Sequence, residues 1–270
     1  FSMFASIPSF GLGTFRLQGQ TVIDSVATGL DVGYRHIDTA QIYGNEAEVG
    51  QAIAASGVAR DDIFVTTKVW TDSLTADTLV PSLRASLERL RLGRVDLALI
   101  HWPSPGDAVP VAETLQALAD AQEQGLADRI GVSNFTVAHL QQAIDAVGAS
   151  RIATLQIEIH PFLQNRTVVD FARSQGIHIT AYMPLAYGKV MTEPVLQAIA
   201  AAHGVTAAQV ALAWALQQGY AVIPSSTRRA NQVANLQAQG LTLTAQDMAQ
   251  IATLDRGERL ASPDFAPQWD

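Results

Sequence analysis

Asp38, Lys68, His101, Asn134 and Gln156 are side chains able to hold or move a proton, and each falls within or just past a short β-branched or apolar run. The runs span 35–38, 63–67, 95–100, 129–132 and 153–157, and Tyr43 follows Asp38 after one tight connection. A free phenol has a pKa near 10, which makes it a poor proton donor at neutral pH. A lysine ammonium within a few ångströms lowers that pKa by favouring the phenolate, and an aspartate beside the lysine keeps the ammonium charged and oriented. Tyr43, Lys68 and Asp38 therefore read as a tuned acid. His101, at another strand end, is placed to hold a substrate oxygen by a hydrogen bond. None of these residues is a source of hydride.

Such residues meet only if their strands lie side by side and point the same way. Strand patterns at 10–14, 177–181 and 221–223 bring the strands to eight. Helical patterns fill the gaps at 21–31, 46–56, 74–92, 111–124, 136–147, 167–174, 194–202 and 207–217, and the last helices fall at 229–237 and 244–254. Alternation predicts a parallel sheet, and eight units in 270 residues most simply close into a (β/α)8 barrel, with the site at the carboxyl ends of the strands. Alternation alone also allows an open doubly wound sheet. The expected domain is one barrel over residues 3–270, because the two Pro-rich linkers, 103–107 and 262–267, are too short to separate domains.

Composition narrows the functional classes. The chain is 48% hydrophobic, which supplies a large core, and its net charge of −8 disfavours general affinity for nucleic acid or anionic membrane. No apolar stretch approaches the roughly 18 residues that span a bilayer, and no basic segment precedes a long apolar core at the amino terminus. A cytoplasmic protein is expected. The absence of cysteine removes disulfides, thiolate nucleophiles and thiolate metal sites. Taken singly, Asp38 with Lys68 is an ordinary ion pair and His101 an ordinary core histidine; their joint occurrence at strand ends favours a site. Gly11-Leu12-Gly13 lacks the third glycine of a dinucleotide fingerprint, since position 16 is Arg16. Trp70 and Trp102 directly follow two strand ends and are expected to line the pocket mouth.

Together these segments resemble the aldo-keto reductases over essentially the whole chain. The resemblance is carried by Gly11-Leu12-Gly13-Thr14, by 35–40 with Tyr43-Gly44-Asn45-Glu46, and by Thr67-Lys68-Val69-Trp70. It continues in Leu99-Ile100-His101-Trp102-Pro103, Gly131-Val132-Ser133-Asn134-Phe135 and Gln156-Ile157-Glu158-Ile159-His160-Pro161. The resemblance implies a (β/α)8 barrel that binds NADPH without a Rossmann fold and uses Asp38, Tyr43, Lys68 and His101 as a catalytic tetrad. It also implies that Ser133, Asn134 and Gln156 hold the nicotinamide carboxamide and that Tyr182 stacks on the ring. Gly13, Thr14, Asp38, Pro184 and Leu185 are further implied cofactor contacts. Phe15, Tyr43, Trp70, His101 and Trp102 would form the substrate side, with Tyr43 protonating the oxygen of a small carbonyl substrate.

Where the family commonly has Ile-Pro-Lys-Ser, this chain has Ile223-Pro224-Ser225-Ser226, so Ser225 replaces a lysine, and Asn231 stands in place of an arginine. Ser226, Thr227, Arg228 and Arg229 still offer a phosphate site, which favours NADPH over NADH, and Asn235 matches an adenine-side asparagine. Met183 stands where a serine is usual. Within the family, the run 182–188, the 224–227 variant and the short tail ending Pro267-Gln268-Trp269-Asp270 are similar to bacterial 2,5-diketo-D-gluconate reductases of the B type. That implies reduction of 2,5-diketo-D-gluconate and of small aldehydes such as methylglyoxal, by a monomer. A short 103–110 connection and an abbreviated tail are expected to leave the pocket open. Two other classes stay in view: a metal-dependent barrel hydrolase using His36 with Asp38 or Glu158 with His160, and a non-catalytic NADPH-binding regulatory barrel.

Overall fold

The strands pair in chain order, each parallel to the next: β1 (Leu12–Gly13), β2 (His36–Asp38), β3 (Phe64–Val69), β4 (Val95–Ile100), β5 (Ala127–Ser133), β6 (Ile152–Glu158), β7 (His178–Tyr182) and β8 (Ala221–Val222). The first and last strands also meet. Gly11 N–H donates to Val222 C=O at 2.8 Å, Val222 N–H to Ser9 C=O at 2.9 Å, and Gly13 N–H to Pro224 C=O at 3.0 Å. These bonds close the ring, so the fold is a (β/α)8 barrel and the open doubly wound alternative falls away. The computed structural model describes residues 4–270; Met3, at the start of the expected domain, lies outside the described residues.

The helices are α1 (Gly19–Val32), α2 (Glu46–Ala55), α3 (Leu79–Leu90), α4 (Val111–Glu123), α5 (Val137–Val147), α6 (Arg166–Ser174), α7 (Pro194–His203), α8 (Ala207–Gln217), α9 (Arg229–Gln237) and α10 (Ala245–Ala252). Most match the expected spans within two residues. The exception is α3, expected from residue 74. Before it, Leu74 C=O accepts from Thr114 Oγ1, Ala76 N–H donates to Glu113 Oε2, and the Thr75 and Thr78 hydroxyls pair at 2.7 Å. Local side-chain bonds of this kind offer the backbone an alternative to the helix. Among the described residues no single helix is long and apolar enough to cross a membrane; α7 and α8 reach that composition only jointly, and they meet at an angle of 89°.

Strand period explains where the core lies and what the barrel lumen presents. Successive strand side chains point to opposite faces. On β3, Val65 and Val69 join the large core between barrel and helices, whereas Phe64 belongs to a separate inner cluster with Leu97 and Leu99 of β4. Thr66 and Lys68 continue the inner row of β3, and His101 follows Leu97 and Leu99 two residues beyond. The inner row is thus apolar at the amino ends of the strands and polar at their carboxyl ends. Gly131 on β5 is required by close approach, since a Cβ there would stand 2.7 Å from Thr154 C=O.

Candidate active site

The carboxyl ends of the strands open into a cavity of about 920 Å³, at the upper end of the range for small-molecule pockets. Asp38, Tyr43, His101, Ser133, Asn134, Gln156 and Tyr182 all line it. Lys68 stands behind them, fully buried, with Nζ 2.6 Å from Asp38 Oδ1, 3.0 Å from the Tyr43 hydroxyl and 3.2 Å from Thr39 C=O. Tyr43 ends a short 3-10 turn, Gln41–Tyr43, and Gly44 leaves it at φ 67°. The following Asn45 fixes that turn: its Nδ2 donates to Thr14 C=O and Leu17 C=O, and its Oδ1 accepts from Thr39 Oγ1 at 2.6 Å. The phenol is therefore delivered to Lys68 by a buried network on both sides.

The electrostatics differ in one respect from the sequence expectation. Loss of water raises the Tyr43 pKa above the ordinary phenol value; Lys68 pulls it down, Asp38 raises it further, and the net direction is up. Charge alone predicts a lowered pKa, but desolvation outweighs it here. At neutral pH the phenol accordingly keeps its proton, the state a donor requires. Burial pulls Lys68 down, but Asp38 and Tyr43 together outweigh it and hold the ammonium above its ordinary value. His101 is pushed well below the ordinary imidazole value, first by burial and then by the Lys68 charge, so it is neutral at pH 7. Its Nδ1 is buried without a hydrogen-bond partner among the described residues.

The opposite wall carries the amides and an aromatic ring. Asn134 takes a left-handed φ of 58°, tolerable for asparagine, and its backbone N–H donates to Gln156 C=O at 3.0 Å. Its Nδ2 donates to His101 C=O at 3.0 Å, and its Oδ1 accepts from the Tyr182 hydroxyl at 2.7 Å. Ser133 Oγ donates to Gln156 C=O at 2.8 Å, and Gln156 Nε2 donates to Asp38 Oδ2 at 3.0 Å. Gln156 Oε1 meets no partner among the described residues, which leaves an acceptor at the cavity wall for a carboxamide N–H. Asn134, Gln156 and the Tyr182 ring thus suit the amide and the flat ring of a nicotinamide.

Gly13, Thr14, Phe15, Trp70, Trp102, Pro184, Leu185 and Ser225 also line the cavity. Gly13 is needed because a Cβ there would stand 2.7 Å from Ile223 C=O, so its glycine reflects barrel closure. Ser226, Thr227, Arg228, Arg229 and Asn235 lie outside the lining. Their loop is nevertheless pinned beside it: Ser226 C=O accepts from Ser25 Oγ at 2.7 Å and from Gln232 Nε2 at 3.0 Å. Arg229 is spent on Asp31, 2.6 Å away, whereas Arg228 is exposed and makes no ion pair among the described residues.

Some of the lining was not foreseen. The Arg16 guanidinium lies 5.1 Å from the ring centres of both Phe15 and Tyr187, joining the loops after β1 and β7 at the mouth. Leu260, Ala261, Ser262, Pro263 and Phe265 of the tail also face the cavity. Phe265 packs edge-on at 5.6 Å to Trp70 and 5.5 Å to Trp102, so the short tail walls one side of the pocket instead of leaving it open. The two pairs weighed as metal ligands are otherwise engaged. His36 bonds Pro8 C=O and Thr66 Oγ1, and Glu158 bonds His160 and the tail backbone.

Comparison with known proteins agrees with this geometry. A sequence profile described as the aldo/keto reductase family matches residues 9–256. The methylglyoxal reductase DkgB of Yersinia pestis is 62% identical over 266 residues, covering 98% of this chain and all of that protein. Among solved structures, a putative 2,5-diketo-D-gluconic acid reductase B superposes with a TM-score of 0.94 at 43% identity, covering 98% of this chain and 94% of the other. The aldose reductase of Schistosoma japonicum gives 0.91 at 33% identity, with 97% and 93% covered.

Proposed function

The chain belongs to the aldo-keto reductase family, and from that premise we propose that it reduces small aldehydes and ketones with NADPH, Tyr43 supplying the proton. It is an oxidoreductase, and methylglyoxal and 2,5-diketo-D-gluconate are the substrates its relatives' names point to. The observation that carries the reading is the contact series Tyr43 hydroxyl, Lys68 Nζ and Asp38 Oδ1, at 3.0 and 2.6 Å, beside a cavity large enough for a cofactor and a small carbonyl.

When bound, NADPH supplies the hydride that reaches the carbonyl carbon. The protein handles the oxygen. Tyr43 gives its phenolic proton as negative charge develops there, and Lys68 stabilises the phenolate left behind while Asp38 keeps the ammonium in place. His101, neutral, has one N–H to donate; with Nδ1 facing no acceptor, Nε2 carries it toward the substrate oxygen. Ser133, Asn134 and Gln156 would hold the carboxamide, and Tyr182 would lie against the ring. Gly13, Thr14, Pro184, Leu185, Ser225, Ser226, Thr227 and Asn235 would take the rest of the cofactor. Phe15, Trp70 and Trp102 would exclude water on the substrate side. Arg228, which pairs with no carboxylate among the described residues, favours the 2′-phosphate and hence NADPH over NADH.

The residues used here pack on one barrel, which supports a single domain; a monomer is what the family resemblance implies, and the acidic, cysteine-free composition suits the cytoplasm. Light scattering checks the monomer. The activity is tested by initial rates of NADPH oxidation with methylglyoxal and with 2,5-diketo-D-gluconate, with NADH in parallel. Consumption faster with NADPH than with NADH is expected. No consumption with either substrate, despite NADPH binding, would move the reading to the regulatory barrel.

A further inference from the structure

Glu158 lies at the end of β6, two residues beyond Gln156 and opposite Tyr182 on β7, and it is fully buried. No step described above uses it. Its carboxylate is completely occupied: Oε2 accepts from Leu260 N–H at 2.9 Å and from His160 Nε2 at 2.7 Å, and Oε1 accepts from Ala261 N–H at 2.9 Å. Its own C=O accepts from Asn165 Nδ2 at 2.7 Å, and Asn165 Oδ1 in turn accepts from Arg259 at 3.1 Å. A buried carboxylate is strongly disfavoured unless hydrogen-bonded, so tail and carboxylate hold each other in place. Four residues beyond Ala261, Phe265 packs against both Trp70 and Trp102, and Trp70 lies 5.3 Å from His101.

We propose that Glu158 is a positioning residue for substrate selectivity: by fastening the backbone of Leu260 and Ala261 it sets Phe265 against Trp70 and Trp102, and so fixes the apolar wall that a carbonyl substrate's side group meets. The inference rests on the carbonyl-reductase reading. Leu260 also packs on the core and Trp269 on Trp102, but the backbone N–H groups of Leu260 and Ala261 bond the two oxygens of Glu158, which hold those successive groups with little freedom. Loosening that fastening affects a substituent that leans on Phe265 far more than one too small to reach it.

Methylglyoxal and phenylglyoxal form a matched pair that differs only in methyl against phenyl. In Glu158→Gln, the ratio of kcat/KM for phenylglyoxal to that for methylglyoxal should fall about fivefold through KM, an aromatic contact being the term lost. The methylglyoxal kcat should stay within about twofold of wild type, since the variant touches no reacting atom. Phe265→Ala should give the same fall, and the double variant no further one, because both changes remove one interaction. Amide exchange at 260 and 261 should quicken about tenfold in Glu158→Gln. Should that variant fail to fold, Ala261→Pro deletes one donated N–H, leaves Glu158 intact, and should lower the same ratio. Unchanged exchange at 260 and 261 overturns the fastening whatever the assay shows. Quickened exchange with an unchanged ratio, or additive losses in the double variant, overturns the selectivity role. Wild type that consumes NADPH with neither glyoxal overturns the reductase reading, while the exchange measurement still judges the fastening.

Discussion

Gln156 on β6 donates from Nε2 to Asp38 Oδ2 on β2 at 3.0 Å, across the barrel, while the other oxygen of Asp38 takes Lys68 at 2.6 Å. The amide wall and the proton-donating wall are therefore joined through one buried carboxylate. Neither side can be disturbed without changing what compensates the charge of Asp38.

A first consequence concerns Lys68. Considered as one charge among 270 residues, it looks dispensable to the fold; in the structure Asp38 and Lys68 are both buried and rely on each other. Removing one member of a buried pair leaves an uncompensated charge, which costs about 3–5 kcal/mol. Lys68→Met should lose stability of that order in urea unfolding, and Asp38→Asn/Lys68→Met should recover most of it without recovering activity. A Lys68→Met protein as stable as wild type would contradict the mutual compensation.

Acid should destabilise the barrel through its histidines. Burial lowers His178 to about 4, with His36 and Arg173 adding to the effect, and His36 and His101 are lowered as well. A depressed folded-state pKa means that the folded protein binds the proton less readily than the unfolded chain does. The stability is present above the unfolded value near 6.5 and is lost as pH falls toward 4. The melting temperature should drop across that window, and His178→Gln should flatten part of the drop. A melting temperature constant from pH 7 to pH 4 would refute this.

Cofactor preference should reside in Arg228 more than in Arg229. Arg228→Ala should raise KM for NADPH about tenfold and leave NADH unchanged, a guanidinium–phosphate contact amounting to roughly 1.5–3 kcal/mol. Arg229→Ala should act more weakly, because that side chain is already paired with Asp31. Equal effects of Arg228→Ala on both cofactors would remove the phosphate role.

The raised Tyr43 pKa sets the pH profile. Reduction needs the protonated phenol, so kcat should stay level through neutral pH and decline only above about 10; the reverse oxidation, which needs the phenolate, should rise with pH. A decline of the reduction rate between pH 7 and 8 would assign the essential acid to another group.

Legibility in the sequence followed local pattern. Lys68 and His101 directly follow the β-branched and apolar runs 63–67 and 95–100, so the strand ends and the tetrad positions were readable. The rim was not. Arg16 between Phe15 and Tyr187, and Glu158 with Leu260, are contacts between aperiodic loops or between residues 102 apart, which no local pattern specifies. The sign of the Tyr43 shift was missed because charges can be placed from sequence, while the water excluded around the phenol cannot.

The central claim is that Tyr43 donates the proton. The direct measurement is turnover of methylglyoxal by Tyr43→Phe beside wild type, with NADPH affinity titrated on both. NADPH affinity within about twofold and turnover lower by about a hundredfold or more are expected, the range of a general acid's contribution. Turnover equal to wild type, with the cofactor bound, would contradict the account.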